Sequence, residues 1–173
     1  MPTTIKHVEE LRLDAEKIEI FPGGSHCSIA MHVKDGSDTF IKIIGGKKCK
    51  MTKIEAEQIA INIETYQKLL VNLGVPVAEC LKMRILHDQE DDDYRIVHIA
   101  RFMGNNAEYW FEQDCFDGEV VDRLIKLLHI VLANILSGTE IVVGYDPKPQ
   151  NCARFKSHTR FVVVDTMPPR FRK

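Results

Sequence analysis

The segment from Thr52 to Gly74 constrains the fold of this chain most strongly, because the sequence specifies both ends of a helix. Apolar residues recur every three to four positions within it. Thr52 and Glu55 have the spacing of a capping box, and Gly74 followed by Pro76 is typical of a helix end. We therefore predict a helix over residues 53–73, with one face in a core.

Strand patterns lie on both sides of this helix. Before it, residues 18–21 predict a strand that ends at the turn Gly23-Gly24, and apolar stretches around Asp35-Gly36 predict a hairpin. After it, residues 78–86 and 94–102 predict a second hairpin, whose acidic tip we expect to be solvated. A helix between antiparallel hairpins indicates an α+β fold.

The C-terminal part of the sequence has a different pattern. Residues 103–115 are expected to form a loop, and residues 118–138 form a long, apolar and periodic segment that predicts a second helix. Short strands are predicted on either side of a polar loop at residues 146–151, and the last of them ends at Asp165.

Composition excludes several classes of protein. The 173 residues carry 23 Lys plus Arg against 25 Asp plus Glu, a net charge of -2, which argues against bulk electrostatic binding of nucleic acid. No apolar run approaches the roughly 20 residues of a membrane span, and the start lacks a signal-peptide core. The five cysteines form no C-x-x-C pair, so we expect reduced thiols and a cytoplasmic location.

Five polar residues occur in an order that has chemical meaning. They are Lys42, Glu64, Asp146, Asn151 and Asp165. Phosphoryl transfer from ATP needs a cation on the phosphates, oxygen ligands for Mg²⁺ and a carboxylate near the attacking hydroxyl. Each residue also has a structural interpretation: a lysine on an edge strand, an exposed helical glutamate, a surface turn and a strand cap.

Taken together, most of the chain resembles the protein-kinase-like superfamily, which includes protein kinases and aminoglycoside and choline phosphotransferases. The most specific element ends at Asn151 and is similar to the catalytic loop D-x-K-P-x-N. The resemblance implies that Asp146 orients or deprotonates the acceptor hydroxyl and that Lys148 approaches the transferred phosphate. It also implies that Asn151 and Asp165 bind Mg²⁺.

The same resemblance implies a nucleotide site in the N-terminal part. Lys42 would contact the α- and β-phosphates, braced by Glu64 or, as the second choice, by Glu57. Main-chain groups of a hinge at residues 100–104 would pair with the adenine. The remaining implied contacts are Gly23, Gly24 and Ser25 in a phosphate-covering turn, with Ala100 and Phe102 in the hinge.

The implied architecture is a protein-kinase-like bilobal fold. Residues 1–103 would form an antiparallel β N-lobe and residues 104–173 a reduced helical C-lobe, with ATP and Mg²⁺ between them. The implied function is that of a small, atypical ATP-dependent phosphotransferase that moves the γ-phosphate of ATP to a hydroxyl acceptor on a protein or a small molecule.

Three departures from the family keep other functions open. The first is that the chain ends shortly after Asp165. The second is in the loop, where Gly144-Tyr145 precedes Asp146 and Pro147 follows it. The third is that Thr166 and Met167 follow Asp165, in place of the Phe and Gly of the usual Asp-Phe-Gly. The first alternative is a pseudokinase, or a nucleotide-binding regulatory module without turnover. The second is an interaction domain, in which a second copy or a protein partner covers the reduced C-lobe.

Overall fold

A computed structural model of the protein describes residues 15–22, 27–34, 36–46, 49–113, 118–136, 148–155 and 160–165. These residues form an α+β fold with mostly antiparallel sheets and three α-helices. The chain divides into two compact units, the first comprising residues 1–60 and 79–102 and the second residues 61–78 and 103–173. Among the described helices, none combines the length and apolar character needed to cross a membrane.

The first unit contains a five-stranded antiparallel sheet. Its strands are β1 (Ile18–Pro22), β2 (Cys27–Val33), β3 (Thr39–Ile44), β4 (Cys80–Asp88) and β5 (Asp93–Arg101). The order β1-β2-β3-β5-β4 confirms both predicted hairpins. It also places β3 in the interior of the sheet, so the interpretation of Lys42 as an edge-strand residue is wrong.

Alternation along the strands gives this sheet two different faces. One face carries the apolar core cluster of the unit, formed by Ile29, Met31, Val33, Ile41, Ile43 and Val97. Because successive side chains point to opposite faces, the intervening residues share the other face. There His32 lies opposite Phe40, and Ala30 lies opposite Lys42.

Helix α1 (Lys53–Asn72) begins at the predicted capping box. The Glu55 amide donates to the Thr52 hydroxyl at 3.3 Å. In return, one Glu55 carboxylate oxygen accepts from the Thr52 amide at 2.8 Å and from its hydroxyl at 2.9 Å. These bonds favour the ionised carboxylate and lower the pKa of Glu55, the bond from the Thr52 amide contributing most.

The other end of α1 closes at Gly74, as predicted. Gly74 has a φ of 75°, and its amide donates to the Val71 carbonyl at 2.9 Å, while the Val75 amide donates to the Leu70 carbonyl at 3.0 Å. This is the Schellman arrangement, in which glycine tolerates the left-handed backbone. Val75 and Leu70 are buried in one core cluster, whereas Ile54 in the first turn of the helix is 77% exposed.

Replacing Thr52 with alanine is expected to lower the free energy of unfolding by about 1 kcal/mol, the usual effect of losing an N-cap side chain. The pKa of Glu55 should rise part of the way toward its ordinary value, because the bond from the hydroxyl to the carboxylate is lost while the larger contribution, from the Thr52 amide, remains. A lowered pKa stabilises the fold above the unfolded-state pKa, and that contribution disappears as the pH falls through the folded-state pKa. The variant should therefore lose less stability between about pH 7 and about pH 3 than the wild type does. Urea unfolding and a carboxyl NMR titration test this, and an unchanged Glu55 pKa would contradict it.

The tip between β4 and β5 is exposed at Gln89, Glu90 and Asp92, as predicted, but the strand residues that flank it are buried. Asp88, Asp93 and Arg95 are 6%, 1% and 2% exposed. The Arg95 guanidinium contacts the carboxylates of Asp88 at 2.7 Å, Asp91 at 3.2 Å and Asp93 at 3.4 Å. The second Asp93 oxygen accepts the Met51 amide at 2.7 Å. This ion cluster therefore also anchors the segment that leads into α1.

The second unit contains the later part of α1, two more helices and a three-stranded antiparallel sheet. These elements are β6 (Asn105–Asn106), α2 (Ala107–Gln113), α3 (Gly118–Leu136), β7 (Cys152–Arg154) and β8 (Val162–Val163). Helix α3 and strands β7 and β8 confirm the sequence prediction, whereas the strand predicted before residue 146 lies outside the described residues. The predicted loop at residues 103–115 is wrong for α2, where the Asn106 side-chain oxygen accepts the Tyr109 amide at 2.9 Å and caps the helix.

The core of the second unit includes two aromatic rings that contact the side chain of Arg154. Its buried apolar members include Leu70, Val75, Trp110, Leu124, Leu127, Phe161 and Val163. Arg154 is 5% exposed, with its guanidinium carbon 4.3 Å from the centre of the Trp110 ring and 5.5 Å from that of Phe161. The attraction between the guanidinium and the faces of these two rings offsets part of the free-energy cost of burying the charge.

The segment that follows α1 extends the small sheet beside β8. The Val163 amide donates to the Pro76 carbonyl, and the Ala78 amide donates to the Val163 carbonyl, both at 2.8 Å. Val77 and Val163 form a parallel bridge. Strand β8 is therefore held on both edges, which fixes where the chain leaves it at Asp165.

Candidate functional site

Lys42 occupies the middle of β3, opposite Ala30 of β2 and His98 of β5. Its side chain is half-buried and lies on the sheet face that does not carry the apolar core cluster. Ladders on both sides of β3 fix the backbone at this position. A lysine held in this way can present its ammonium group at a defined point, as a phosphate contact requires.

The predicted hinge is bonded within its own unit. Ala100 is buried and pairs with Phe40. The Arg101 amide donates to the Glu79 carbonyl at 2.9 Å, and the Phe102 amide donates to the Asp38 carbonyl at 2.6 Å. Two of the main-chain donors that the sequence prediction assigned to a base therefore already have acceptors.

Four aromatic side chains form a cluster on the face that carries Lys42. The aromatic cluster consists of Phe21, His32, Phe40 and Phe102. His32 stacks on Phe102 with ring centres 3.6 Å apart, Phe40 lies 6.1 Å from Phe102, and Phe21 lies 5.9 Å from Phe40. Sequence reasoning missed this cluster. Strand alternation places Phe21, His32 and Phe40 on one face of the sheet. Phe102 joins them only because the pairing of β3 with β5 places it near Phe40.

His32 is the most buried member of the aromatic cluster, at 9% exposed. Its Nε2 has no hydrogen-bond partner among the described residues, and its Nδ1 lies 3.9 Å from the carboxylate of Glu19. Burial lowers the pKa of His32 below 6.5, opposed by Glu19 and Asp38 and assisted by Lys34. The ring that stacks on Phe102 is therefore the neutral imidazole at neutral pH.

Because its folded-state pKa is lowered, His32 should stabilise the fold above pH 6.5 and lose that contribution as the pH falls through the folded-state pKa. Replacing His32 with phenylalanine keeps a ring against Phe102 but removes the titrating group. We expect the variant to lose less stability than the wild type between about pH 7 and about pH 5. Urea unfolding at both pH values measures the difference, and an NMR titration that places the His32 pKa above 6.5 would refute the assignment.

In the second unit, Lys148 and Asn151 lie in one short turn. Residues Pro149–Asn151 form a 3₁₀ turn, in which the Asn151 amide donates to the Lys148 carbonyl at 2.9 Å. Lys148 is exposed and Asn151 is half-buried. The turn fixes the separation of these two predicted site residues, whereas Asp146 lies outside the described residues.

Strands β7 and β8 bring Asn151 and Asp165 to the same end of a hairpin. Strand β7 starts directly after Asn151, and Cys152 pairs with Val163. The pairing continues beyond the strands, because the Val164 amide donates to the Asn151 carbonyl at 2.9 Å. Asp165 follows at once and is half-buried.

The oxygen atoms of the Asn151 and Asp165 side chains suit Mg²⁺. This hard cation is usually bound by one or two carboxylates together with substrate phosphates and water. Within the described ranges, no group of three or more His, Cys, Asp or Glu side chains is placed to hold a metal ion. Asn151 and Asp165 could supply two oxygen ligands to such an ion, the others coming from phosphate and water.

The remaining predicted site residues are exposed on α1 or lie outside the described residues. Glu64 is exposed on α1 and belongs to the second unit, whereas Lys42 belongs to the first. Glu57, the second choice as brace, lies 3.8 Å from Lys53 on the helix surface. The predicted phosphate-covering turn, Gly23, Gly24 and Ser25, falls outside the described residues.

Neither the models of known protein families nor the curated protein sequences match this chain. Three features of the described residues bear on function. They are a lysine in a central strand, an aromatic cluster on the same sheet face, and an asparagine and an aspartate at one end of a hairpin.

Proposed function

We propose that the protein is a small, atypical phosphotransferase of protein-kinase-like fold. It would move the γ-phosphate of ATP to a hydroxyl acceptor on a protein or a small molecule. In this proposal residues 1–103 are the N-lobe and residues 104–173 a reduced C-lobe. The central position of β3 and the helix between β3 and β4 support the N-lobe assignment.

One observation carries the proposal: the main-chain hydrogen bond from Val164 to Asn151. It joins Asn151 to the residue that precedes Asp165, so the backbones of two residues that the resemblance assigned to Mg²⁺ lie close together although they are 14 positions apart in sequence. A carboxylate oxygen and an amide oxygen are ligands that nucleotide-bound Mg²⁺ takes in phosphoryl-transfer enzymes.

The residues have distinct roles in this proposal. Asn151 and Asp165 would hold Mg²⁺, which when bound supplies positive charge against the phosphate oxygens. Lys42, braced by Glu64, would orient the α- and β-phosphates, and Lys148 would contact the transferred group. Asp146 would orient the acceptor hydroxyl and accept its proton.

A second candidate is a nucleotide-binding regulatory module without turnover. It is favoured by Pro147, which restricts Asp146 to extended backbone conformations. A displacement of the catalytic carboxylate by about 1 Å can cost about a hundredfold in rate. This candidate shares the nucleotide site with the first and differs only in the chemical step.

Thermal unfolding with and without Mg·ATP tests the nucleotide site. At about one hundred times Kd, a ligand that binds only the folded state adds about 2.7 kcal/mol, or about 5 to 10 °C in Tm for a chain of this size. We expect this Mg²⁺-dependent rise in the wild type and its loss in Asp165→Ala. Asp122→Ala, at an exposed position of α3, is the matched control and should keep the rise. No rise in the wild type at millimolar Mg·ATP would remove the nucleotide from the proposal.

Asp146→Asn separates the two candidates. If the protein is a phosphotransferase, this substitution should abolish transfer from γ-labelled ATP and leave the Mg·ATP-dependent rise in Tm unchanged, because the amide cannot accept the proton. Transfer at the wild-type rate would eliminate Asp146 as the base. A wild type that binds Mg·ATP but transfers no phosphate, to water or to any acceptor, would establish the regulatory module.

A further inference from the structure

The aromatic cluster and Lys42 share one face of the five-stranded sheet. Phe40 precedes Lys42 by two residues on β3, and side chains at this spacing point to the same face about 7 Å apart. Phe21 pairs with Ala30, which lies opposite Lys42 on the next ladder. The sheet therefore groups three phenyl rings and an ammonium group within the first unit. The separation along β3 is comparable to that between the base and the first phosphate of a nucleotide.

The three phenyl rings can serve as a stacking surface. Phe21, Phe40 and Phe102 are each half-buried, so each residue keeps some accessible surface, whereas His32 is buried and stacks on Phe102. A nucleobase gains free energy by stacking on aromatic side chains whichever hydrogen-bonding edge it carries, because every base has a π face. Such a surface distinguishes bases by the area of their rings and not by their hydrogen-bonding edges.

Two main-chain donors of the predicted hinge that could contact the edge of a base are engaged. The amides of Arg101 and Phe102 donate to the carbonyls of Glu79 and Asp38 at 2.9 and 2.6 Å. Adenine carries an amino donor where guanine carries a carbonyl acceptor, so a protein distinguishes them only with positioned hydrogen-bonding groups. Using either amide for this purpose would first break a bond in the sheet or its adjoining loop and leave a carbonyl without its donor.

We infer that the base of the bound nucleotide is held by stacking on the aromatic cluster and not by the amides of the hinge, so that the site accepts ATP and GTP alike. The inference rests on the proposed function, because it concerns the nucleotide of that site. It narrows the substrate class to purine nucleoside triphosphates, since two fused rings cover more of the cluster than a pyrimidine ring does.

The direct test compares Mg·ATP, Mg·GTP, Mg·CTP and Mg·UTP on the full chain by isothermal titration calorimetry. We expect the Kd values of ATP and GTP to agree within about threefold, and those of CTP and UTP to be weaker by about fivefold or more. A preference of about tenfold or more for ATP over GTP would overturn the inference and leave the proposed function standing. Binding of none of the four would overturn both.

Phe40→Leu tests the stacking contact itself and preserves an apolar side chain at the position. We expect the Kd values for ATP and GTP to rise together by about tenfold, within the range that a base-stacking ring supplies. The control is Tyr94→Leu, the same kind of change on β5 of the same sheet, where Tyr94 stacks on His87 outside the aromatic cluster. Unchanged affinities in Phe40→Leu, or equal losses in both variants, would contradict the assignment of the ring to the base.

Discussion

Replacing Gly104 with alanine is expected to lower the free energy of unfolding by about 3 to 4 kcal/mol. Gly104 has a φ of 87°, a left-handed conformation that side chains rarely adopt. A Cβ there would also lie closer than 3.0 Å to the Arg154 carbonyl and the Phe155 amide, where β6 starts along β7. Neither atom can move aside easily, because both belong to the backbone. Urea unfolding measures the loss.

Two other glycines separate the causes of this effect. Gly36 has the same φ of 87° but no atom within 4 Å of a Cβ, so Gly36→Ala should show the backbone cost alone, about 1 kcal/mol. Gly118→Ala meets no atom within 4 Å at the start of α3 and should be neutral or slightly stabilising. If Gly104→Ala were no more destabilising than Gly36→Ala, that result would contradict the close approach of Gly104 to the backbone of Arg154 and Phe155.

Replacing Arg95 with leucine is expected to lower the free energy of unfolding by about 3 to 5 kcal/mol. The guanidinium is the shared partner of Asp88, Asp91 and Asp93, and two of those carboxylates are almost completely buried. Removing one member of a buried ion cluster leaves charge without compensation, which costs far more than losing an exposed pair. Because Asp93 also accepts the Met51 amide, the loss should extend to the entry of α1.

Arg101→Leu is the matched control at the end of the same strand. Arg101 contacts Glu79 at 3.1 Å, but the two side chains are 53% and 62% exposed. Water screens such a pair, so the expected loss is below about 1 kcal/mol. Equal losses in the two variants, measured by urea unfolding, would show that burial of the cluster around Arg95 has been overestimated.

Local signals made much of the fold predictable. The capping box at Thr52 and the stop at Gly74 each act through bonds between residues close in sequence, and both ends of α1 were correctly predicted. The two hairpins follow from strand alternation around short turns. Helix α2 was missed because its one strong signal, the Asn106 cap, lies in a short polar stretch that resembles a loop.

The site was less predictable, because its features depend on contacts between distant residues. The resemblance picked out Asn151 and Asp165, and strand alternation predicted the strands that join them. No local pattern indicated that Phe102 would stack on His32 or that its amide would be bonded to Asp38. Charge patterning indicated an exposed tip between β4 and β5. It did not indicate that Asp93 is buried, because that burial depends on the contact between its side chain and Arg95.

The bonds between Val163 and residues 76–78 have a consequence for the order of events during synthesis. All five strands of the first unit have left the ribosome once Arg101 has emerged, so that sheet is expected to form early. Residues 76–78 gain their partner only when Val163 arrives much later. Leu70 and Val75 also depend on core residues that follow Arg101 in the chain, from Ala107 to Val163. The nascent chain should therefore carry an apolar segment beside an already folded sheet, and this segment is where chaperone binding or aggregation would begin.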